Sequence, residues 1–121
     1  SASFDRNQLI QALLNVARNA MQAVGERGRI TIRTRAYSNI SIAGHRQRLA
    51  AGVEIEDDGP GVPAALRASI FYPLVTGRAT GTGLGLAVAQ DLVTRHGGLI
   101  EFESEPGRTV FKLMLPLEET P

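Results

Sequence analysis

From Arg29 to Ile42 and again from Gln47 to Asp57 the chain alternates, with Ile30, Ile32 and Thr34 on one side and Val53, Ile55 and Asp57 on one side. A period of two marks strands with one buried face, and Gly44 and His45 between the runs mark a turn. The two runs therefore read as a long hairpin. It displays Arg33, Arg35, Arg46 and Arg48, which read as a solvated basic ribbon. Asp57 stands out, because the alternation that buries Val53 and Ile55 points its carboxylate at the core. A buried carboxylate needs a partner. Two readings stand: a cap or turn role beside Gly59 and Gly61, or an acceptor for the amino group of a ligand.

The remaining segments supply a cover for this sheet. Asp5 reads as an N-cap with Gln8 at N3, and Phe4 with Leu9 as a hydrophobic staple. Leu9, Leu13, Ala17, Ala20 and Val24 form an apolar stripe over about five turns, ended by Gly25 or Gly28. Gln11, Asn15, Asn19 and Gln22 line another face, and the plain reading of that amide row is solvated surface. After "DDGPGVP", Ala64 to Phe71 reads as a short helix and residues 72 to 82 as a loop. A second helix begins at Thr82, with Leu84, Val88, Leu92 and Arg95 on one stripe, and ends at His96-Gly97-Gly98. Leu99–Ser104 and Arg108–Leu115 form a final hairpin through "EPG", with Pro116 as the stop. Thr109 shares a strand face with Phe111, Leu113 and Leu115, which carries its hydroxyl into the same apolar layer as Asp57. This order predicts an α+β fold, a two-layer sandwich in which helices cover one face of a mixed, mostly antiparallel sheet.

Composition narrows the function. The 121 residues suit one soluble domain, and thirteen basic against twelve acidic residues give +1, too balanced for non-specific nucleic-acid binding to lead. No apolar run approaches the ~20 residues of a membrane span. The absence of cysteine suits a reducing cytosol. His45 and His96 stand too far apart for a metal spacing, which argues against zinc.

Two common nucleotide signatures fail. Gly59, Gly61 and Ala64 formally match a dinucleotide fingerprint, but Pro60 and Pro63 remove N–H donors where a pyrophosphate needs them. No Walker A loop occurs either. What remains is "GTGLGL" at a helix start, where Gly81, Gly83 and Gly85 expose N–H groups to an anionic phosphate chain. Asn15 and Asn19, one turn apart, carry neutral oxygens of the kind that suit Mg²⁺. Arg78, just before the glycines, can close over a terminal phosphate.

In this order the motifs resemble the catalytic ATP-binding domain of two-component sensor histidine kinases, within the Bergerat-fold superfamily. "NVARN" (15 to 19) matches the N box, "DDGPG" (57 to 61) the G1 box, "IFYPLVTGR" (70 to 78) the F box and "GTGLGL" (81 to 86) the G2 box. The likeness extends over residues 1–121 as a single domain, without sensor or dimerisation domains. Residues 71 to 116 look like the nitrogen-regulation branch. The resemblance implies ATP and Mg²⁺ as ligands. It implies Asp57 as acceptor for the adenine amino group, Thr109 near the same base, Asn19 as the Mg²⁺ ligand and Asn15 beside it. Phe71 anchors a lid over 72 to 82, and Arg78 contacts phosphate. Gly59 and Gly61 allow close backbone approach, and Thr82, Gly83, Leu84, Gly85 and Leu86 border the phosphates. Leu74 and Gln22 depart from the family, which often has an aromatic and a basic residue there.

The activity implied is transfer of the ATP γ-phosphate to a histidine on a separate dimerisation domain, then to an aspartate of a response regulator. A signalling protein of the PII type is a further implied partner, and the location implied is cytoplasmic. Neither nucleic acid nor membrane is an expected contact, and the fragment is expected to be a monomer that does not phosphorylate itself. The alternatives are a Bergerat-fold ATPase, an anti-sigma-factor-type serine kinase, or a non-enzymatic interaction module. Asn15 favours the kinase, since an amide cannot serve as the general base that hydrolytic relatives place there.

Overall fold

In the computed structural model, which describes residues 5–69 and 85–120, Asp5 caps helix α1 (Arg6–Val24) as its side chain accepts the Gln8 N–H at 3.1 Å. The helix ends at Gly25, whose N–H donates to Met21 O and whose φ is 65°. Of the two expected stops, Gly25 is therefore the one used. The expected staple involves Phe4, which lies outside the described residues. Ala12, Val16 and Ala20 are fully buried, while Leu9, Leu13 and Ala17 pack beside them half-buried. The stripe is thus rotated by one residue from the expected one, and its small side chains let α1 lie close to its neighbours.

Strands β1 (Ile30–Ile42) and β2 (His45–Asp57) form the long hairpin, closed by a two-residue turn at Ala43-Gly44. Both turn residues have positive φ, 50° and 82°, the twist that matches the flanking strands. His45 therefore starts β2 opposite Ile42 instead of sitting in the turn. The 64–71 segment is a 3₁₀ helix, Ala64–Ser69, among the described residues. Helix α2 (Gly85–Arg95) buries Ala89, Leu92 and Val93. Val88 is 41% exposed, and Arg95 leaves the expected stripe to pair with Asp91 at 3.1 Å.

Strands β3 (Leu99–Glu105) and β4 (Arg108–Glu119) complete a four-stranded sheet in the order β1-β2-β4-β3. Every described pairing is antiparallel, so the parallel part of the expected mixed sheet is not found among the described residues. Pro116 does not stop β4. It sits beyond Met114, the last residue of β4 paired to β3, and beside the register shift at Leu49/Ala50. There a missing N–H costs no ladder bond on the β3 side.

The core lies between helices and sheet. Phe111, Leu113 and Leu115 of β4, Ile55 of β2 and Ile100 of β3 meet Val16 of α1 and Val93 of α2. The rings of Phe102 and Phe111 stack with centroids 5.6 Å apart, and burying a side chain such as Phe111 contributes roughly 2–3 kcal/mol. On the opposite face Tyr37 and Ile40 pack on Ile42, Ala50 and Met114. Three of the ribbon's four arginines are engaged: Arg33 pairs with Glu56 at 3.0 Å, Arg48 with Glu118 at 3.1 Å, and Arg35 lies over the Tyr37 ring.

Helices α1 and α2 run antiparallel, in contact at both ends of α2 and hydrogen-bonded across at one. At one end Gly85 meets Asn15. At the other, the Asp5 N–H donates to His96 Nε2 at 3.1 Å, and His96 Nδ1 lies 2.7 Å from Leu92 O. Since a carbonyl only accepts, Nδ1 carries the proton and Nε2 is bare. No helix among the described residues is long and apolar enough to cross a membrane.

Candidate functional site

Asp57 is 2% exposed at the end of β2, and its neighbour Asp58 turns the other way. Asp58 Oδ1 accepts the Arg29 N–H at 2.8 Å, while its own N–H donates to Arg29 O. This exchange pins the second carboxylate to the edge of β1 and leaves the first inside. Asp57 Oδ1 accepts the Gly59 N–H at 2.9 Å. The turn role and the inward orientation therefore hold together, because one oxygen suffices to close an Asx-type turn.

Thr109, 3% exposed, pairs in register with Asp57, and Ser104 pairs in register with Thr109. Three polar side chains thus form a cross-strand row from β3 through β4 to β2 on the face toward the helices. The Ser104 and Thr109 hydroxyl oxygens are 2.7 Å apart, and Ser104 Oγ accepts the Val62 N–H at 2.7 Å. Ser104 was not singled out from sequence: one serine in an alternating strand carries no signal until its register is known.

The two glycines of "DDGPG" are shaped by protein neighbours. A methyl group on Gly59 would come 2.8 Å from Ala23 O in the last turn of α1. At Gly61, φ is 89° and a methyl would come 2.7 Å from Glu105 O. The Gly107 N–H donates to Gly59 O at 3.0 Å. The loop after Asp57 is therefore clamped between the end of α1 and the β3–β4 turn.

The amide row does not behave as one surface. Asn15 is 8% exposed, Asn19 is half-buried, and Gln11 and Gln22 are exposed. Gln11 Nε2 donates to Asn15 Oδ1 at 3.0 Å, which leaves the two N–H groups of the Asn15 amide without an acceptor among the described residues. Gly85 brings the start of α2 against this asparagine, and Leu86 packs half-buried on the core. Phe71, Arg78, Thr82, Gly83 and Leu84 lie outside the described residues. No group of three or more His, Cys, Asp or Glu side chains able to hold a metal occurs among the described residues. A cation here would depend on amide oxygens and on the ligand's own oxygens.

The site thus combines an inward carboxylate and hydroxyl at the sheet end with a buried amide at a helix start. The chain is similar to known proteins in sequence and in fold. The family model described as histidine kinase-, DNA gyrase B-, and HSP90-like ATPase matches residues 4–119. The sensory histidine kinase/phosphatase NtrB of Salmonella typhimurium is 50% identical over 116 residues. That match covers 95% of this chain and 33% of the relative, so the chain spans well under half of such a protein. The catalytic domain of the histidine kinase ThkA aligns with a TM-score of 0.77 at 30% identity, over 95% of this chain and 70% of that one. The mycobacterial sensor histidine kinase MprB gives 0.74 at 29% identity, over 96% and 74%. The chain belongs to the family of histidine kinase-, DNA gyrase B- and HSP90-like ATPases and is similar, within it, to histidine-kinase catalytic domains.

Proposed function

We propose that this chain is the catalytic ATP-binding domain of a sensor kinase, which holds Mg-ATP and donates its γ-phosphoryl group to a histidine on a separate dimerisation domain. The observation that carries this reading is Asn15, an amide buried where the start of α2 meets α1. A hydrolytic enzyme needs a base for water at such a place, and an amide is none near neutral pH. Its free N–H groups suit a phosphate oxygen. Asn19, one turn further, is the ligand assigned to Mg²⁺, which supplies charge neutralisation for phosphoryl transfer when bound. Asp57 accepts from the adenine amino group, and Thr109 addresses the same base. Gly59 and Gly61 shape the loop beside them. Phe71, Arg78, Thr82, Gly83, Leu84, Gly85 and Leu86 are assigned to the lid and the phosphate border.

Neither histidine of the chain is the acceptor in this reading. Both ring nitrogens of His96 are engaged in joining the helices, and His45 opens a strand. The acceptor comes from a partner domain of the same protein, with a response-regulator receiver domain downstream. A place in nitrogen control, a PII-type partner and a cytoplasmic location belong to the same proposal. The experiment mixes the chain with γ-labelled ATP and Mg²⁺, with and without a histidine-bearing helical-hairpin domain. Binding by the chain alone and label transfer only with the partner are expected; rapid hydrolysis by the chain alone would favour the ATPase reading instead.

A further inference from the structure

Resting on the nucleotide-binding reading above, we infer that Ser104 is a positioning residue that fixes the direction of the Thr109 hydroxyl proton and thereby the base selectivity of the site. A hydroxyl has one proton to donate and two lone pairs. Ser104 Oγ uses one lone pair on the Val62 N–H at 2.7 Å. Its proton has one acceptor among the described residues, Thr109 Oγ1 at 2.7 Å. With a ligand acceptor facing Thr109, the reverse arrangement, Thr109 donating to Ser104, would leave both that acceptor and the half-buried Ser104 proton unpaired, at a desolvation cost. In the occupied site Ser104 therefore donates, and the Thr109 proton goes to the ligand.

The consequence lies in the row itself. Thr109 stands between Ser104 and Asp57 in register and is 3% exposed. With Ser104 donating, the row presents a hydroxyl donor at Thr109 next to a carboxylate acceptor at Asp57. That pair complements a purine edge with a bare ring nitrogen beside an exocyclic amine. It opposes an edge with a protonated ring nitrogen beside a carbonyl. Val62 holds Ser104 in place from the loop that follows Asp57, so loop and hydroxyl are set by the same atom.

The test compares ATP, GTP and 1-deaza-ATP, which lacks the ring nitrogen at issue, by calorimetric titration of the full chain. Wild type is expected to bind ATP about tenfold more tightly than 1-deaza-ATP, the worth of one hydrogen bond. Ser104→Ala is expected to lose about tenfold for ATP, with 1-deaza-ATP unchanged and the ATP-over-GTP ratio reduced. Ser104→Thr, which keeps the hydroxyl, should restore the wild-type pattern. Thr109→Val should match Ser104→Ala, and the double variant should be no weaker than either single one. An equal loss for ATP and 1-deaza-ATP in Ser104→Ala, or an unchanged ATP-over-GTP ratio, would overturn the inference. Should Ser104→Ala not fold, an unaltered preference in the folded Thr109→Val would overturn it as well. Failure of wild type to bind any of the three nucleotides would instead remove the nucleotide reading on which it rests.

Discussion

Gly85 faces Asn15 with room to spare: a methyl group on Gly85 would lie 3.9 Å from Asn15 Cβ and 4.0 Å from Asn15 O. These are ordinary contacts, so the protein alone does not require glycine at this position. Gly85→Ala is expected to keep the melting temperature within about 2 °C of wild type, since no core group moves. Mg-ATP affinity should fall about tenfold, because the methyl sits between the buried amide and the helix start. Equal affinity in a titration would show that no ligand passes there.

Asn15 and Asn19 should separate in their dependence on metal. With Asn15 Oδ1 engaged by Gln11, Asn19→Ala is expected to abolish the gain in ATP affinity that Mg²⁺ confers. Asn15→Ala should weaken ATP with and without Mg²⁺ by similar factors. Calorimetry in Mg²⁺ and in chelator reads the two cases, and identical behaviour would erase the distinction.

For Gly59 and Gly61 the opposite of Gly85 is expected. An alanine at Gly59 must displace the α1 backbone at Ala23, and one at Gly61 adds an unfavourable φ to a clash with Glu105 O. Each should cost roughly 1–3 kcal/mol, read by urea denaturation without any nucleotide. Wild-type stability of either variant would mean that these glycines serve the ligand alone.

The hairpin turn is improvable. Ala43 adopts φ 50° beside Gly44, and a left-handed alanine is strained by roughly 1–2 kcal/mol. Ala43→Gly or Ala43→Asn is expected to raise stability by about 0.5–1 kcal/mol. A lower melting temperature in both would argue against this turn geometry.

Gln47 offers a second stabilising change. It is 4% exposed, and its Oε1 has no hydrogen-bond partner among the described residues. Gln47→Met keeps the shape and removes the orphaned carbonyl, so a gain of about 1 kcal/mol is expected. A loss of that size would reveal an acceptor role for the oxygen.

Much of this could be read from residue order. The Asp5 cap, the long hairpin and the inward Asp57 follow from local chemistry and a period of two, which tertiary packing has little power to reverse. The buried line on α1 followed in part: Ala20 is buried and Leu9, Leu13 and Ala17 pack on the core, but two stripes one residue apart both satisfy helical spacing. The line that packs, Ala12, Val16 and Ala20, is too small to dominate by hydrophobicity. Ile10, Leu14 and Met21 are exposed, so the helix is apolar on more sides than it buries. Pro116 misled for a related reason. A proline ends a strand only where its N–H is needed, and that depends on where the neighbouring strand stops. Gly59 and Gly61 read as places of close backbone approach, and among the described residues the backbones nearest them belong to α1 and the β3–β4 turn. Ser104 needed three-strand register, which no local pattern contains.

His96 grips the start of α1 with the last turn of α2, and it does so at the end of the helix pair remote from Asn15. Helix α2, eleven residues long, is about 16 Å from end to end. Held at one end, it acts as a lever. A tilt of about 5° about His96 would carry the Gly85 end by about 1.4 Å, half a hydrogen-bond length. The contact that sets the leverage at the Asn15 end therefore lies in a histidine that never approaches it.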